Sequence, residues 1–312
     1  MKTISIVVPI FNEPNLPELI PRLLSLKEKI PDNEFEFIFV DDGSKDKSLE
    51  NLLEFREKFP KEIKVVKLTR NFGSMAARQA GLKVSKGDCV GVISSDLQDP
   101  PELFVDMIKH WQKGNKAVLA VRKERHDTLP SKISSTIYYH FIRKYALSDF
   151  PKGGFDFFLI DRQIVNELNK IQEKNSNLMN LLFWLGYDYV SIPYVRQKRK
   201  KGKSGWTLSK KFKHVIDSFI GFSYVPIKLL PGFGIIFAIG SFVYGGIVFY
   251  DWLVGDIEVE GWTTTIILVT FIGGIQMIML GILGEYLWRT LDETRKRPAF
   301  IIKKIFDEEE NH

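Results

Sequence analysis

Three acidic clusters, each placed directly after a short apolar run, carry the first chemistry legible in this sequence. They are Pro9-Ile10-Phe11-Asn12-Glu13, Asp41-Asp42-Gly43-Ser44 and Ser94-Ser95-Asp96-Leu97-Gln98-Asp99-Pro100-Pro101-Glu102. Carboxylates alone repel the phosphates of a nucleotide, so such a row needs a divalent cation between, or a sugar hydroxyl to accept from. Asp96 with Gln98 is the best cation candidate. Residues i and i+2 just beyond a strand can turn their oxygens toward one point, and Mg2+ or Mn2+ takes oxygen ligands with phosphates completing the shell. Asp42 before Gly43-Ser44 fits a turn, but its strand-end position points to ribose or base binding. Asp99 and Glu102 read as structural, with Asp99 capping the next helix and the prolines opening its first turn. No G-x-G-x-x-G follows the first strand and no G-x-x-x-x-G-K-[ST] occurs, so a dinucleotide fingerprint and a P-loop are both unsupported. A single cysteine, Cys89, excludes a disulfide framework and a cysteine-based zinc site.

The elements that must position these clusters alternate. Strand-like runs recur at Ile4–Ile10, Glu36–Asp41, Ile63–Leu68, Cys89–Ser94, Ala117–Val121 and Phe155–Ile160. Helical patterns at Leu16–Ile30, Lys47–Lys58, Ser74–Val84 and Glu102–Lys113 separate them. Alternation of this kind predicts a mainly parallel sheet covered by helices on both faces, with ligands at the carboxyl ends of the strands. The acidic clusters fall at those ends.

Beyond this region the composition changes. Leu229–Tyr250 and Thr263–Gly284 each run 22 residues without a charge, about 33 Å of helix against a hydrocarbon core of ~30 Å. Four acids and no base lie between them from Asp251 to Trp262, whereas Arg196–Lys213 carries nine Lys/Arg and no acid. The positive-inside rule therefore predicts two membrane spans with both termini cytoplasmic. Met1–Pro9 runs directly into a strand pattern and does not read as a signal peptide. Within 207–228, Lys210, Lys211 and Lys213 alternate with Phe212, Val215, Ile216, Phe219 and Ile220, which predicts an amphipathic helix in the membrane interface. Gly274 and Gly281 offer a close helix–helix seam, making a homo-oligomer a candidate assembly. The pI of about 9.1 does not indicate nucleic acid, because the bases cluster beside a span.

The motifs SIVVPIFNE (Ser5–Glu13), DDGS (Asp41–Ser44), SDLQDPPE (Ser95–Glu102), GGFDFFLIDR (Gly153–Arg162), RKKGKSGW (Arg199–Trp206), GFSYVPIKL (Gly221–Leu229) and GEYLWR (Gly284–Arg289) cover nearly the whole chain. In this order they resemble the family 2 glycosyltransferases of GT-A fold, specifically the polyisoprenyl-phosphate glycosyltransferases. The resemblance implies a GT-A (Rossmann-like) α/β domain over 1–206, the interface helix, a transmembrane hairpin over 229–288 and a cytoplasmic tail over 289–312. It places Pro9, Phe11, Glu13, Val40 and Asp42 in a nucleoside pocket, with Ser95 beside them. Asp96 corresponds to the second acid of a metal-binding D-x-D, with Gln98 as a further ligand of Mg2+ or Mn2+. Arg122 and Arg199 correspond to bases that meet phosphates, and Asp156 to an acid near the sugar. Three positions depart from the pattern: Ser94 stands for the first acid, Gly205 for a lysine that Lys203 or Lys201 would replace, and Phe158 for an arginine.

The reaction implied is inverting transfer of a sugar from a nucleotide-sugar, UDP-glucose or similar, to a polyprenyl phosphate such as undecaprenyl phosphate at the cytoplasmic membrane. A phosphate monoester is largely ionised at neutral pH, its second pKa lying near ~6, so no strong base is required. Transfer to another lipid or a growing polysaccharide, and a non-catalytic nucleotide-sugar scaffold invited by Ser94, are the competing expectations.

Overall fold

The structure is a computed structural model and describes residues 1–124, 151, 155–171, 173, 177–197, 225–254 and 261–308. The chain divides into two compact units, Met1–Asp217 with Pro298–His312, and Ser218–Arg297.

The first unit is built on a sheet whose described strands run β1 (Lys2–Ile10), β2 (Asn33–Asp41), β3 (Ile63–Leu68), β4 (Cys89–Val92), β5 (Ala117–Glu124), β6 (Phe157–Asp161), β7 (Tyr189–Val195) and β8 (Ile302–Phe306). Their order is β7-β5-β6-β4-β1-β2-β3-β8. The central block β4-β1-β2-β3 is parallel. Helices α1 (Leu16–Leu24), α2 (Leu26–Lys29), α3 (Ser48–Lys58), α4 (Ser74–Val84) and α5 (Phe104–Gln112) supply the crossovers. With both faces covered, central strands read as near-continuous apolar runs, and Ile4, Ile6, Val7 and Val8 of β1 are indeed all fully buried. In α5, Phe104, Met107, Ile108 and Trp111 are buried at helical spacing. Burial of each such side chain contributes roughly 1.5–3 kcal/mol. The sheet and α5 meet closely at Gly91, where a Cβ would stand 2.2 Å from the Phe104 ring.

This is the α/β, GT-A arrangement the resemblance implies, with β6 antiparallel between β4 and β5. Several elements differ from the sequence reading. Leu16–Ile30 divides at Ser25, whose hydroxyl donates to the Arg22 carbonyl at 2.8 Å. Helices α6 (Arg162–Lys170) and α7 (Leu178–Trp184) follow β6, and β7 forms one edge in spite of Pro193. Proline is tolerated on an edge strand because its missing N–H costs no ladder bond there. The largest correction concerns the tail assigned to 289–312. Ile302–Phe306 adds β8 antiparallel to β3, and Arg56 donates to the Asp307 carbonyl at 2.6 Å.

The second unit contributes α8 (Val225–Val254) and α9 (Trp262–Thr294), 30 and 33 residues long. Both are long and apolar enough to cross a membrane, over Leu230–Ile247 and Ile267–Thr294. Large apolar side chains such as Phe242, Met277 and Leu287 are exposed on them. The helices run past the expected limits: α8 begins at Val225 and takes in Asp251, and α9 continues to Thr294. The amphipathic segment at 207–224 lies outside the described residues.

Candidate active site

The carboxyl ends of β1, β2 and β4 lie side by side, since Pro9 pairs with Val40 and Val7 with Val92. The loops leaving β1 and β2 are joined by the Asn12 N–H to Ser44 Oγ (3.0 Å), the Lys45 N–H to Asn12 Oδ1 (2.8 Å) and the Glu13 N–H to Ser48 Oγ (2.8 Å). Asn12 adopts φ 49°, a left-handed conformation that asparagine accepts more readily than most residues. Phe11 is 47% exposed, while Val40 is fully buried, so of the two only Phe11 presents surface to a ligand. Gly43, with φ 72°, could not carry a Cβ without meeting the Arg70 backbone at 2.8 Å.

Two acids brace this edge. Both oxygens of Asp42 accept backbone N–H groups, from Phe72 at 2.7 Å and Gly73 at 2.8 Å. Burial pushes the Asp42 carboxyl above its ordinary pKa, and these bonds act against the rise. Glu13 accepts from the Asn15 backbone (3.0 Å) and side chain (2.6 Å) through one oxygen, and from Ser95 Oγ (3.2 Å) through the other. Burial raises its pKa, and the nearby Asp96 charge adds to the rise. Glu13 thus ties the β1 loop to the β4 loop.

The β4 loop carries Asp96, Leu97 and Gln98. Leu97 is 1% exposed with φ 58°, a strained conformation for a non-glycine residue, costing of order 1–3 kcal/mol, that its burial holds in place. Asp96 Oδ1 accepts the Gln98 N–H at 3.2 Å. The loop is joined to the chain after β7 twice: the Gln197 N–H donates to the Gln98 carbonyl (2.8 Å), and Gln98 Nε2 donates to the Gln197 carbonyl (3.2 Å).

Across the loop stands a network of three arginines and three aspartates. Arg122 Nη2 meets Asp156 Oδ1 at 2.5 Å. Arg196 Nη2 lies 3.8 Å from Asp96 and 3.9 Å from Asp156, and its Nε lies 3.5 Å from Asp99. Arg78, 3% exposed, donates to the Asp156 carbonyl and to Ser94 Oγ, both at 3.2 Å. Burial alone would raise the Asp156 carboxyl, but Arg122, Arg78 and Arg196 outweigh it and hold the pKa below the ordinary value. Burial and the Asp156 charge push Asp99 up to about 6.

Asp99 corrects the sequence reading. It makes no cap bond to the following 3-10 turn and helix; its carboxylate is fully buried and accepts from the Tyr194 hydroxyl. Glu102 is structural as expected, forked by Arg22 at 3.0 and 2.7 Å. Arg199 and Lys203 lie outside the described residues. Arg122 is engaged by Asp156, so a phosphate contact there would be shared with that acid. The sequence reading missed Arg78, Tyr194 and Arg196. A charge in the otherwise small-residue face of Ser74–Val84 was the available signal for Arg78, and Arg196 was counted only as one member of a basic run.

Among the described residues no group of three His, Cys, Asp or Glu side chains is arranged to hold a metal ion by itself. The oxygens of Asp96 and Gln98 fit a cation whose shell is completed by substrate phosphates, the usual manner of binding for Mg2+.

Residues 5–168 match the Glycosyl transferase family 2 profile. The chain belongs to this family. Relatives extend the match beyond residue 168. An uncharacterized glycosyltransferase, YkcC of Bacillus subtilis, is 36% identical over 97% of this chain and 94% of its own length. A prophage bactoprenol glucosyl transferase homolog of Escherichia coli is 32% identical over 97% and 99%. The bactoprenol glucosyl transferase of Shigella phage SfII is 33% identical over 96% and 97%. As a family 2 glycosyltransferase, the protein gathers acids and guanidinium groups at its strand ends.

Proposed function

We propose that the protein transfers a sugar, with inversion, from a nucleotide-sugar such as UDP-glucose to a polyprenyl phosphate at the cytoplasmic face of a membrane. The observation that carries this reading is that similarity to proteins named bactoprenol glucosyl transferase spans at least 96% of the chain, including both helices long enough to cross a membrane. In the proposed topology, α8 and α9 are the two spans, both termini are cytoplasmic, the catalytic domain is 1–206 together with the returning β8, and 207–224 lies in the interface.

In the proposed reaction an acceptor phosphate oxygen bonds to the anomeric carbon, the bond from that carbon to the diphosphate oxygen breaks, and the nucleoside diphosphate leaves with the electron pair. The acceptor is already an anion, so this chain's residues position and stabilise rather than remove a proton. Phe11 and the β1 and β2 loops form the nucleoside side of the site. Asp96 and Gln98 would hold Mg2+ or Mn2+, which when bound would neutralise the diphosphate. Asp156, kept ionised by its arginines, accepts from sugar hydroxyls, and Arg122 and Arg196 meet the phosphates. Arg199 and Lys203 gather the lipid phosphate.

The test is a panel of radiolabelled nucleotide-sugars offered to the full chain in detergent with undecaprenyl phosphate. Appearance of label in the lipid fraction with one donor supports the reading. Turnover of a donor with a non-phosphorylated acceptor in preference to undecaprenyl phosphate would reject it.

A further inference from the structure

Tyr194 and Arg196 are two residues apart at the end of β7, so the alternation of an extended chain turns both side chains to one face. Asp99 serves both. Its Oδ1 accepts the Tyr194 hydroxyl and stands 3.5 Å from Arg196 Nε. The backbone of this stretch is fixed beside the β4 loop by the Gln197 N–H, which donates to the Gln98 carbonyl at 2.8 Å. Arg196 Nη2 lies 3.8 Å from Asp96 and 3.9 Å from Asp156. All three separations exceed the ~2.7–3.2 Å of a good hydrogen bond, and Arg196 Nε is buried without a hydrogen-bond partner. Arg122, by contrast, meets Asp156 at 2.5 Å. Arg196 is therefore attracted by three carboxylates and closely bonded by none of them. Such a guanidinium is held in place yet can give its donors to a stronger anion, and its planar fork matches a pair of phosphate oxygens.

We propose that Tyr194 and Asp99 are positioning residues that aim Arg196 at the diphosphate of the donor. Tyr194 fixes the Asp99 carboxylate, Asp99 orients the guanidinium, and phosphate oxygens of the bound nucleotide replace Asp96 and Asp156 as its partners. This rests on the reading that Arg196 meets the phosphates of a nucleotide-sugar.

The experiment measures UDP and uridine binding to the full chain in detergent by isothermal titration calorimetry, in alkaline buffer containing Mg2+ so that Asp99 carries its charge. Arg196→Gln should weaken UDP binding ~10-fold or more and leave uridine binding within about twofold, because only UDP carries the phosphates. Asp99→Asn is the deciding variant. By charge alone, removing an acid beside an anion site would tighten UDP binding. The positioning role requires the opposite. Asp99→Asn should weaken UDP binding ~3-fold or more while Arg196 is present, and should not weaken it further in the Arg196→Gln background. Tyr194→Phe should follow the same pattern. UDP binding that is unchanged in Arg196→Gln, unchanged or tighter in Asp99→Asn, or weakened by Asp99→Asn equally in both backgrounds would overturn the proposal. Asparagine at 99 keeps the volume and an acceptor for Tyr194, so Asp99→Asn decides even if Tyr194→Phe does not melt cooperatively. Wild type that binds uridine as tightly as UDP would reject the diphosphate reading itself. A preserved preference for UDP with any of the overturning results rejects the positioning role alone.

Discussion

The Tyr194 hydroxyl donates to Asp99, whose carboxylate has no exposed surface, and Arg196 stands 3.5 Å from the same oxygen. Removing one partner of a buried charged acceptor leaves its desolvation uncompensated. Tyr194→Phe should therefore destabilise the first unit by roughly 1–3 kcal/mol, measured by chemical denaturation. The same acid gives a pH signature. Its pKa is about 6 in the fold against an ordinary 3.8, so the folded state holds this proton more tightly than the unfolded chain does. The contribution is fully present below about 4 and is lost as pH rises through about 6. Compared with wild type, Asp99→Asn should gain stability between those limits. A stability difference that does not change with pH in that window would contradict the assignment. At this scale the sequence disclosed acids well and their partners poorly. Glu13, Asp42 and Asp96 were legible as strand-end acids because strand ends announce themselves by apolar runs that stop at a carboxylate. Asp99 was misread because Asp-Pro-Pro-Glu is also a helix-start signature, and only Tyr194, 95 residues away, reveals its role. Val40 was named for a pocket, yet its side chain belongs to the core.

Gly91 and Phe104 show what one methyl group would do between two elements. A Cβ at 91 would lie 2.2 Å from the fully buried ring, and neither β4 nor α5 can retreat without opening the core. Gly91→Ala should cost roughly 1–3 kcal/mol, the range for overpacking, and Phe104→Leu in the same chain should recover part of it. A single alanine variant melting at the wild-type temperature would refute the close approach. The parallel strands and their crossover helices were legible because burial on both faces yields uninterrupted apolar runs of strand length. The edges were not. β7 carries a proline and β8 reads Ile-Lys-Lys-Ile-Phe, which on a half-exposed edge is sufficient but in sequence resembles a linker. Since β8 is separated from its partner by both long helices, no local pattern could have joined them.

For the whole molecule the returning strand determines which fragments are viable. Lys64 of β3, 5% exposed, is held by Glu36 at 2.5 Å and by Asp307 at 3.0 Å. A chain ended before Leu229 keeps the acidic site but loses β8 and Asp307. Such a fragment should unfold at lower urea and aggregate more readily than a version in which 1–217 is joined through a flexible linker to 298–308. Equal urea midpoints and equal solubility would show that β8 is dispensable. Nucleotide binding by the linked version, paired with loss of transfer to long-chain lipid, would localise the acceptor requirement to the spans.

The same strand also imposes an order on biosynthesis. Strand β3 is complete at Leu68, but its neighbour β8 begins only at Ile302, more than two hundred residues later. At roughly 5–20 residues per second of translation, the interval is on the order of 10–50 s. Throughout it the nascent sheet presents an open edge while the two apolar helices are being made. An unpaired edge invites association with other chains, and lysines are a common defence against it. Lys64 and Lys67 lie in β3; before Asp307 exists to receive Lys64, both charges would serve as temporary guards on a growing polypeptide.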